Sequence, residues 1–252
     1  MPTVHQNIKR WTNKDWSNRG QEWCDGFGGP DAAWEHALLP RIRHFLPAGH
    51  VLELGPGHGV WTERLLQCCE RMTIVDVTPG CIDACRERFP ADRVACHVND
   101  GRSLDMLDDR SVDFAFSFNS LVHADHDVMR AYIRQLAAKL RPGAFAFLHH
   151  SNLGEYDDTP EPRLRKFWGW RGRDMTGEKL RDDCRAAGLA CVCQEIIPWG
   201  SPNFIDAISL VCKPTPGRAI TERVERNQNF WHMARAGGHA PGEWYRPSEP
   251  RA

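Results

Sequence analysis

The 252-residue chain has no apolar run approaching the ~20 residues that a membrane-spanning helix requires. It has no lysine- or arginine-rich block. Its formal charge is -1, from 32 basic and 33 acidic residues, so it lacks the positive footprint with which proteins grip DNA or RNA. The first residues, Met1-Pro2-Thr3-Val4-His5, carry no apolar targeting core. These absences predict a soluble, cytoplasmic protein with no nucleic-acid partner. Internal repeats and low-complexity blocks are also missing. The ten cysteines include no paired C-x-x-C knuckles. Cys68 and Cys69, Cys81 and Cys85, and Cys191 and Cys193 sit at apolar helix or strand positions, which predicts buried free thiols and neither zinc nor a disulfide.

What the chain does have is a glycine turn. Val51-Leu52-Glu53-Leu54 reads as a short buried strand, followed by Gly55-Pro56-Gly57-His58-Gly59 and, seventeen residues later, by Asp76 at the end of Thr73-Ile74-Val75-Asp76. Glycines permit a tight strand-to-helix turn because no Cβ stands in the way. An acid ending the next strand can accept both hydroxyls of a ribose. A dinucleotide site would read G-x-G-x-x-G. Glu53, two positions before the first glycine, is unfavourable beside a phosphate and favourable beside an ammonium group. The pocket therefore suits a nucleoside that carries an amino acid.

Further elements follow in order. Arg93–Val98 reads as a third strand ending in Asn99-Asp100-Gly101-Arg102. Val112–Ser117 is a fourth, leading into Phe118-Asn119-Ser120, and Arg141-Pro142-Gly143 opens a fifth through Leu148. Leu189–Ile197 and Phe204–Cys212 read as a closing hairpin, after a helix at Gly177–Ala187 with Thr176 as its N-cap. His126–Leu140 carries apolar residues at helical spacing. Strands alternating with helices through residues 50–150 predict a doubly wound parallel sheet.

The acid-x-G-x-G-x-G turn, with the elements after it, resembles the class I S-adenosylmethionine (SAM)-dependent methyltransferases. That resemblance implies a Rossmann-like α/β fold with a seven-stranded sheet of order 3-2-1-4-5-7-6, the last strand antiparallel, and helices on both faces. It implies a cofactor site of Glu53, Gly55, Pro56, Gly57, Gly59, Asp76, Val77, Asp100, Gly101, Arg102, Ser117, Phe118 and Trp16. Asp76 would hold the ribose and Asp100 the adenine amino group. Trp16-Ser17, Gly28-Gly29, Cys81–Cys85, Ser120–His123 and His149–Gly154 are similar to a narrower subgroup, encoded with O-antigen, capsule and other glycan-building enzymes.

Domain boundaries are expected at 1–46 (a tryptophan-rich lid and a helix), 47–213 (the methyltransferase domain, with an insertion at 151–175 over the acceptor site) and 214–252. The last segment reads as one helix, Ile220–Ala234, and a flexible tail. Ligands in doubly wound sheets bind beyond the carboxyl ends of the strands, so the acceptor is expected over β-strands four and five. Methyl transfer to a hydroxyl needs alignment and a proton acceptor. His149, His150 and His123 are the candidates, with His149 preferred because adjacent strand residues point to opposite faces. Asn119, Ser120, Asn152, Trp168 and Trp170 are expected around the acceptor.

Arg171 and Arg173 beside that cluster are either solvated charges or ligands for an acceptor phosphate. Asp125, Asp127 and Glu155 are the weak candidates for a divalent metal, which is not itself predicted. The tryptophans suit a lid, or packing in a homodimer. The expected activity is O-methylation of a hydroxyl on a carbohydrate or sugar-containing small molecule. Methylation of another small metabolite, and a catalytically silent SAM-binding partner subunit, are the alternatives.

Overall fold

The computed structural model describes residues 3–158, 162–217, 220–236 and 242–246. Eight strands form one sheet: β1 Ala48–Leu54, β2 Cys69–Asp76, β3 Val94–Val98, β4 Val112–Ser117, β5 Leu140–Ser151, β6 Ala190–Ile197, β7 Asp206–Cys212 and β8 Arg223–Arg226. Their order is β3-β2-β1-β4-β5-β7-β6-β8. Strands β1 to β5 run parallel, and β7 is antiparallel to both β5 and β6. This is the expected seven-stranded sheet with one strand added at its edge. Val51–Leu54 and Asp206–Cys212 are buried at every position, as strands covered on both faces must be.

Two apolar cores lie on the two faces. Helices His126–Lys139 and Gly177–Ala186 cover one, through Met129, Ile133, Leu136, Leu180 and Cys184. The helical stretch 30–42, helix Pro79–Arg88 and helix Phe230–Ala236 cover the other. The Thr176 hydroxyl accepts the Lys179 N–H at 3.0 Å and caps its helix.

The C-terminal segment differs from the single helix expected over Ile220–Ala234. Arg223–Arg226 instead pairs in parallel with β6, and a helix begins only at Phe230. The exposed backbone edge of β6 offers a row of hydrogen-bonding groups, and pairing with them outweighs local helical periodicity. Further on, Tyr245 is fully buried and its hydroxyl donates to Glu195 at 2.9 Å. Residues 237–241 and 247–252, where a flexible tail is expected, lie outside the described residues.

Strand order reverses between β1 and β4, so the connections leaving their carboxyl ends diverge and open a crevice. The N-terminal helix Val4–Thr12 buries none of its own residues in the core and lies across this crevice.

Candidate active site

One cavity opens above the ends of β1, β2 and β4, and the glycine turn forms its floor. Gly55 and Gly57 have φ of 71° and 55°, in the left-handed region that favours glycine. A Cβ on Gly55 would stand 1.7 Å from Ser120 Oγ, and one on Gly57 would stand 3.2 Å from the Trp16 ring. The first glycine thus lets the loop after β4 close onto the turn. The second lets a tryptophan roof it. Trp16 also stacks on His58, with ring centroids 4.4 Å apart.

At the end over β1 and β2, Gly55, Pro56, Gly57, Asp76, Val77, Gly101, Phe118 and Trp16, all named from the sequence, line the cavity. Asp76 accepts the Thr78 N–H at 2.8 Å, and desolvation pushes its carboxyl up to about 6. Glu53, Gly59, Asp100, Arg102 and Ser117 are not part of the lining. Glu53 lies beneath the turn, fully buried, accepting the Thr62 hydroxyl at 2.6 Å. Burial raises it to about 8, so at neutral pH it is a protonated acid below the pocket and not a carboxylate facing an ammonium. Asp100 is exposed, and its Oδ1 accepts the backbone N–H groups of Arg102 and Ser103. Arg102 pairs with Asp127. Ser117 donates to the Leu54 carbonyl at 2.8 Å and ties β4 to β1.

Thr78 and Tyr132 also line this end, and sequence reasoning had missed both. The Thr78 hydroxyl is buried beside Asp76, whose carboxyl it helps to hold down, and makes no hydrogen bond of good geometry among the described residues. Tyr132 carries the polar tip on the otherwise apolar stripe of its helix, and its hydroxyl accepts from Asn99 at 3.0 Å. That tip was the available signal. A buried hydroxyl, a half-buried acid and a turn with glycine at the two closest approaches fit a bound nucleoside. Arg19 lines the cavity beside the turn and is the cation available to an amino-acid carboxylate.

At the other end, one of the three candidate histidines reaches the cavity. His123 Nδ1 hydrogen-bonds the Trp170 carbonyl. A carbonyl only accepts, so Nδ1 carries the proton and Nε2 carries the lone pair. Among the described residues Nε2 has no protein hydrogen-bond partner. Desolvation, with the nearby Arg171, pushes His123 down to about 3, so the ring is neutral.

His149, preferred from the sequence, is fully buried below the lining, between the rings of Phe118 and Trp199 at 4.7 and 4.8 Å. Its Nδ1 accepts the Asn119 N–H at 3.3 Å, and its Nε2 lies 3.3 Å from Asp206. Because β5 is covered on both faces, alternation carries His149 into packed rings and His150 into the opposite core. There His150 meets the Ser151 carbonyl at 2.9 Å and the Ser209 hydroxyl at 2.8 Å. Burial lowers both histidines, His150 to about 4.

Asn119, Ser120 and Trp170 line the end of the cavity near His123, joined by Trp11, Trp23 and Trp199. Asn119 holds φ of 60°, an uncommon conformation for a residue with a side chain. Asn152 is absent from the lining; it accepts the Gly177 N–H and donates to Glu155 and the Phe204 carbonyl. Trp168 is 39% exposed and packs outward under Arg173. Arg10 closes the end by donating to the Gly169 carbonyl and lying 4.4 Å over Trp170.

The three acidic metal candidates go to separate partners. Asp125 accepts the Arg173 N–H, Asp127 pairs with Arg102, and Glu155 pairs with Arg226. Among the described residues no group of three or more histidines, cysteines or acids stands where it could hold a metal ion. No helix among them is long and apolar enough to cross a membrane.

Residues 51–143 match the family model described as a methyltransferase domain. The chain carries a SAM-dependent methyltransferase domain. Solved structures similar to this methyltransferase include the PH0226 protein of Pyrococcus horikoshii, at TM-score 0.61 and 16% identity over 82% of this chain and 99% of that one. A putative sarcosine dimethylglycine methyltransferase of Galdieria sulphuraria aligns at TM-score 0.58 and 14% identity, over 73% and 84%. A DhpI–SAM–HEP complex aligns at 0.58 and 19%, over 83% and 97%. At these identities the likeness establishes the fold. No curated protein matches the methyltransferase by sequence.

Proposed function

We propose that this methyltransferase transfers the SAM methyl group to a hydroxyl of a carbohydrate or sugar-containing small molecule, with His123 as the proton acceptor. The supporting observation is the tautomer of His123. Its Nδ1 is committed to the Trp170 carbonyl, and this leaves Nε2 as a lone pair on the cavity wall. A small acceptor fits a cavity roofed by the N-terminal segment, and the indoles of Trp11, Trp23 and Trp170 offer flat apolar faces for the C–H face of a sugar ring.

Asp76 would hold the ribose, Arg19 the carboxylate, and Val77, Gly101 and Tyr132 the adenine. SAM supplies a methyl carbon on a sulfonium, already activated for displacement. The protein's work is alignment and exclusion of water. As the hydroxyl oxygen gains the methyl carbon, its proton passes to His123 Nε2. A base held at about 3 suffices, because a methylated oxonium is far more acidic than an imidazolium. Phe118 and Trp61 shield the methyl-transfer end from solvent.

The test is release of S-adenosylhomocysteine from SAM against a panel of sugars and nucleotide-sugars. His123→Ala is expected to lower kcat by about 10²–10⁴-fold with unchanged S-adenosylhomocysteine affinity, the usual contribution of a general base. Full activity in that variant would remove His123 from the chemistry. Cofactor binding without turnover on any acceptor would favour the silent partner subunit.

A further inference from the structure

Arg171 is the feature that the cofactor site and the proton acceptor leave unexplained. It lies at the end of the insertion, is only 8% exposed, and lines the cavity immediately after Trp170, the residue that fixes His123. Asp206, at the start of β7 and fully buried, grips it side-on: Nε donates to Oδ1 at 2.9 Å and Nη2 donates to Oδ2 at 3.0 Å. A guanidinium has five N–H groups in two usable edges. Asp206 takes the Nε/Nη2 edge. The Nη1/Nη2 edge remains, and Nη1 makes no hydrogen bond with the protein among the described residues. A guanidinium anchored by a buried carboxylate is preorganised, and its Nη1/Nη2 edge is open to the cavity, where it can receive a pair of ligand oxygens.

We infer that the acceptor carries an oxyanion, a carboxylate or a phosphate, held end-on by the free edge of Arg171. This rests on the proposed methyl transfer to a hydroxyl and narrows its substrate class. Held there, an oxyanion lies on the same wall as His123, whose ring already feels the charge of Arg171, so that a hydroxyl of the same molecule can reach it. Asp206 makes the geometry rigid: with its first edge clamped, the guanidinium cannot turn its second edge away. His149 stands against the same carboxylate, with Nε2 3.3 Å from Oδ2.

The experiment uses matched ligands on one scaffold: glucose, glucuronate and glucose 6-phosphate. Binding to the full chain saturated with S-adenosylhomocysteine is followed by calorimetry, and methylation by product release. In the wild type, glucuronate or glucose 6-phosphate is expected to bind at least tenfold tighter than glucose, and which of the two wins identifies the oxyanion. Arg171→Gln is expected to erase that ratio, and Arg171→Lys, which keeps the charge and loses the fork, to leave part of it. S-adenosylhomocysteine affinity in each variant reports that the fold is intact. Oxyanion binding that depends on Arg171 without methylation would support this inference and sink the proposed sugar methylation. Glucose binding as tightly as its charged partners, or a ratio unchanged by Arg171→Gln, would overturn the inference.

Discussion

Arg41 and Arg171 are each clamped side-on by a buried carboxylate, Glu195 in one case and Asp206 in the other. Away from the cavity, every nitrogen of Arg41 is satisfied: two bonds of 2.7 Å go to Glu195, and Nη1 donates to the Ala37 carbonyl at 2.6 Å. Glu195 is completed by Asn227 at 2.6 Å and Tyr245 at 2.9 Å, so this pair fastens the C-terminal segment to the sheet. At the cavity wall, Arg171 keeps one edge free. The same two functional groups therefore serve as a sealed fastener or as a presenting hand, and the open donor edge separates the two roles. In both places burial alone would raise the carboxyl. The arginine together with the other donors, Asn227 and Tyr245 at Glu195 and His149 at Asp206, outweighs it and holds both carboxyls below the usual range.

The sharpest way to break the comparison is to remove the sealed arginine. Arg41→Met leaves Glu195 buried and uncompensated, and is expected to cost about 3–5 kcal/mol in urea unfolding. A loss below about 1 kcal/mol, the worth of an exposed ion pair, would mean that Asn227 and Tyr245 alone satisfy the carboxylate.

Arg171→Gln is expected to cost less, about 1–3 kcal/mol, because His149 stands beside Asp206 and can take a proton. The sign is set by His149. In the wild type burial, against the opposing pull of Asp206 and with a smaller push from Arg171, holds its pKa below the ordinary histidine value. Its stability contribution is therefore full above that ordinary value and is lost as pH falls through it. Without Arg171 the Asp206 carboxylate raises that pKa, so the variant loses less on acidification. The stability gap between wild type and variant should narrow from pH 8 to pH 6 in paired urea titrations. A constant gap would show that His149 does not respond to Asp206.

The sheet order and the glycine turn were legible in the sequence because both rest on local grammar: apolar runs of strand length, glycines where the backbone turns left-handed, an acid ending β2. Which side chains reach the cavity was less legible. Adjacent strand residues face opposite ways, but alternation alone does not say which face holds a core. His149 and His150 both end in packed surroundings, and His123, on a short loop turn, takes the wall. Arg171 reads as a charge in a polar insertion until Asp206, thirty-five residues away in the chain, is seen beside it. The strand at Arg223–Arg226 depends on a partner edge that no local pattern announces.

Carboxyls without an arginine complete the contrast. Among the described residues half-buried Asp76 and buried Glu53 have no cation partner, and desolvation pushes them up to about 6 and about 8. For Asp76 this has a consequence at the cofactor end. A carboxylate accepts two ribose hydroxyls, whereas its protonated form must turn a donor toward one of them. Cofactor affinity should therefore hold above pH 6 and weaken below it, towards a limiting tenfold rise in Kd per pH unit. Calorimetry of S-adenosylhomocysteine from pH 8 to pH 5 checks this. Asp76→Asn is expected to bind more weakly throughout and to lose the dependence near pH 6. A wild-type Kd that stays flat to pH 5 would mean that the ribose is held by something other than an ionised Asp76, and the lone carboxyl would then belong with Glu53, as a structural acid beneath the pocket.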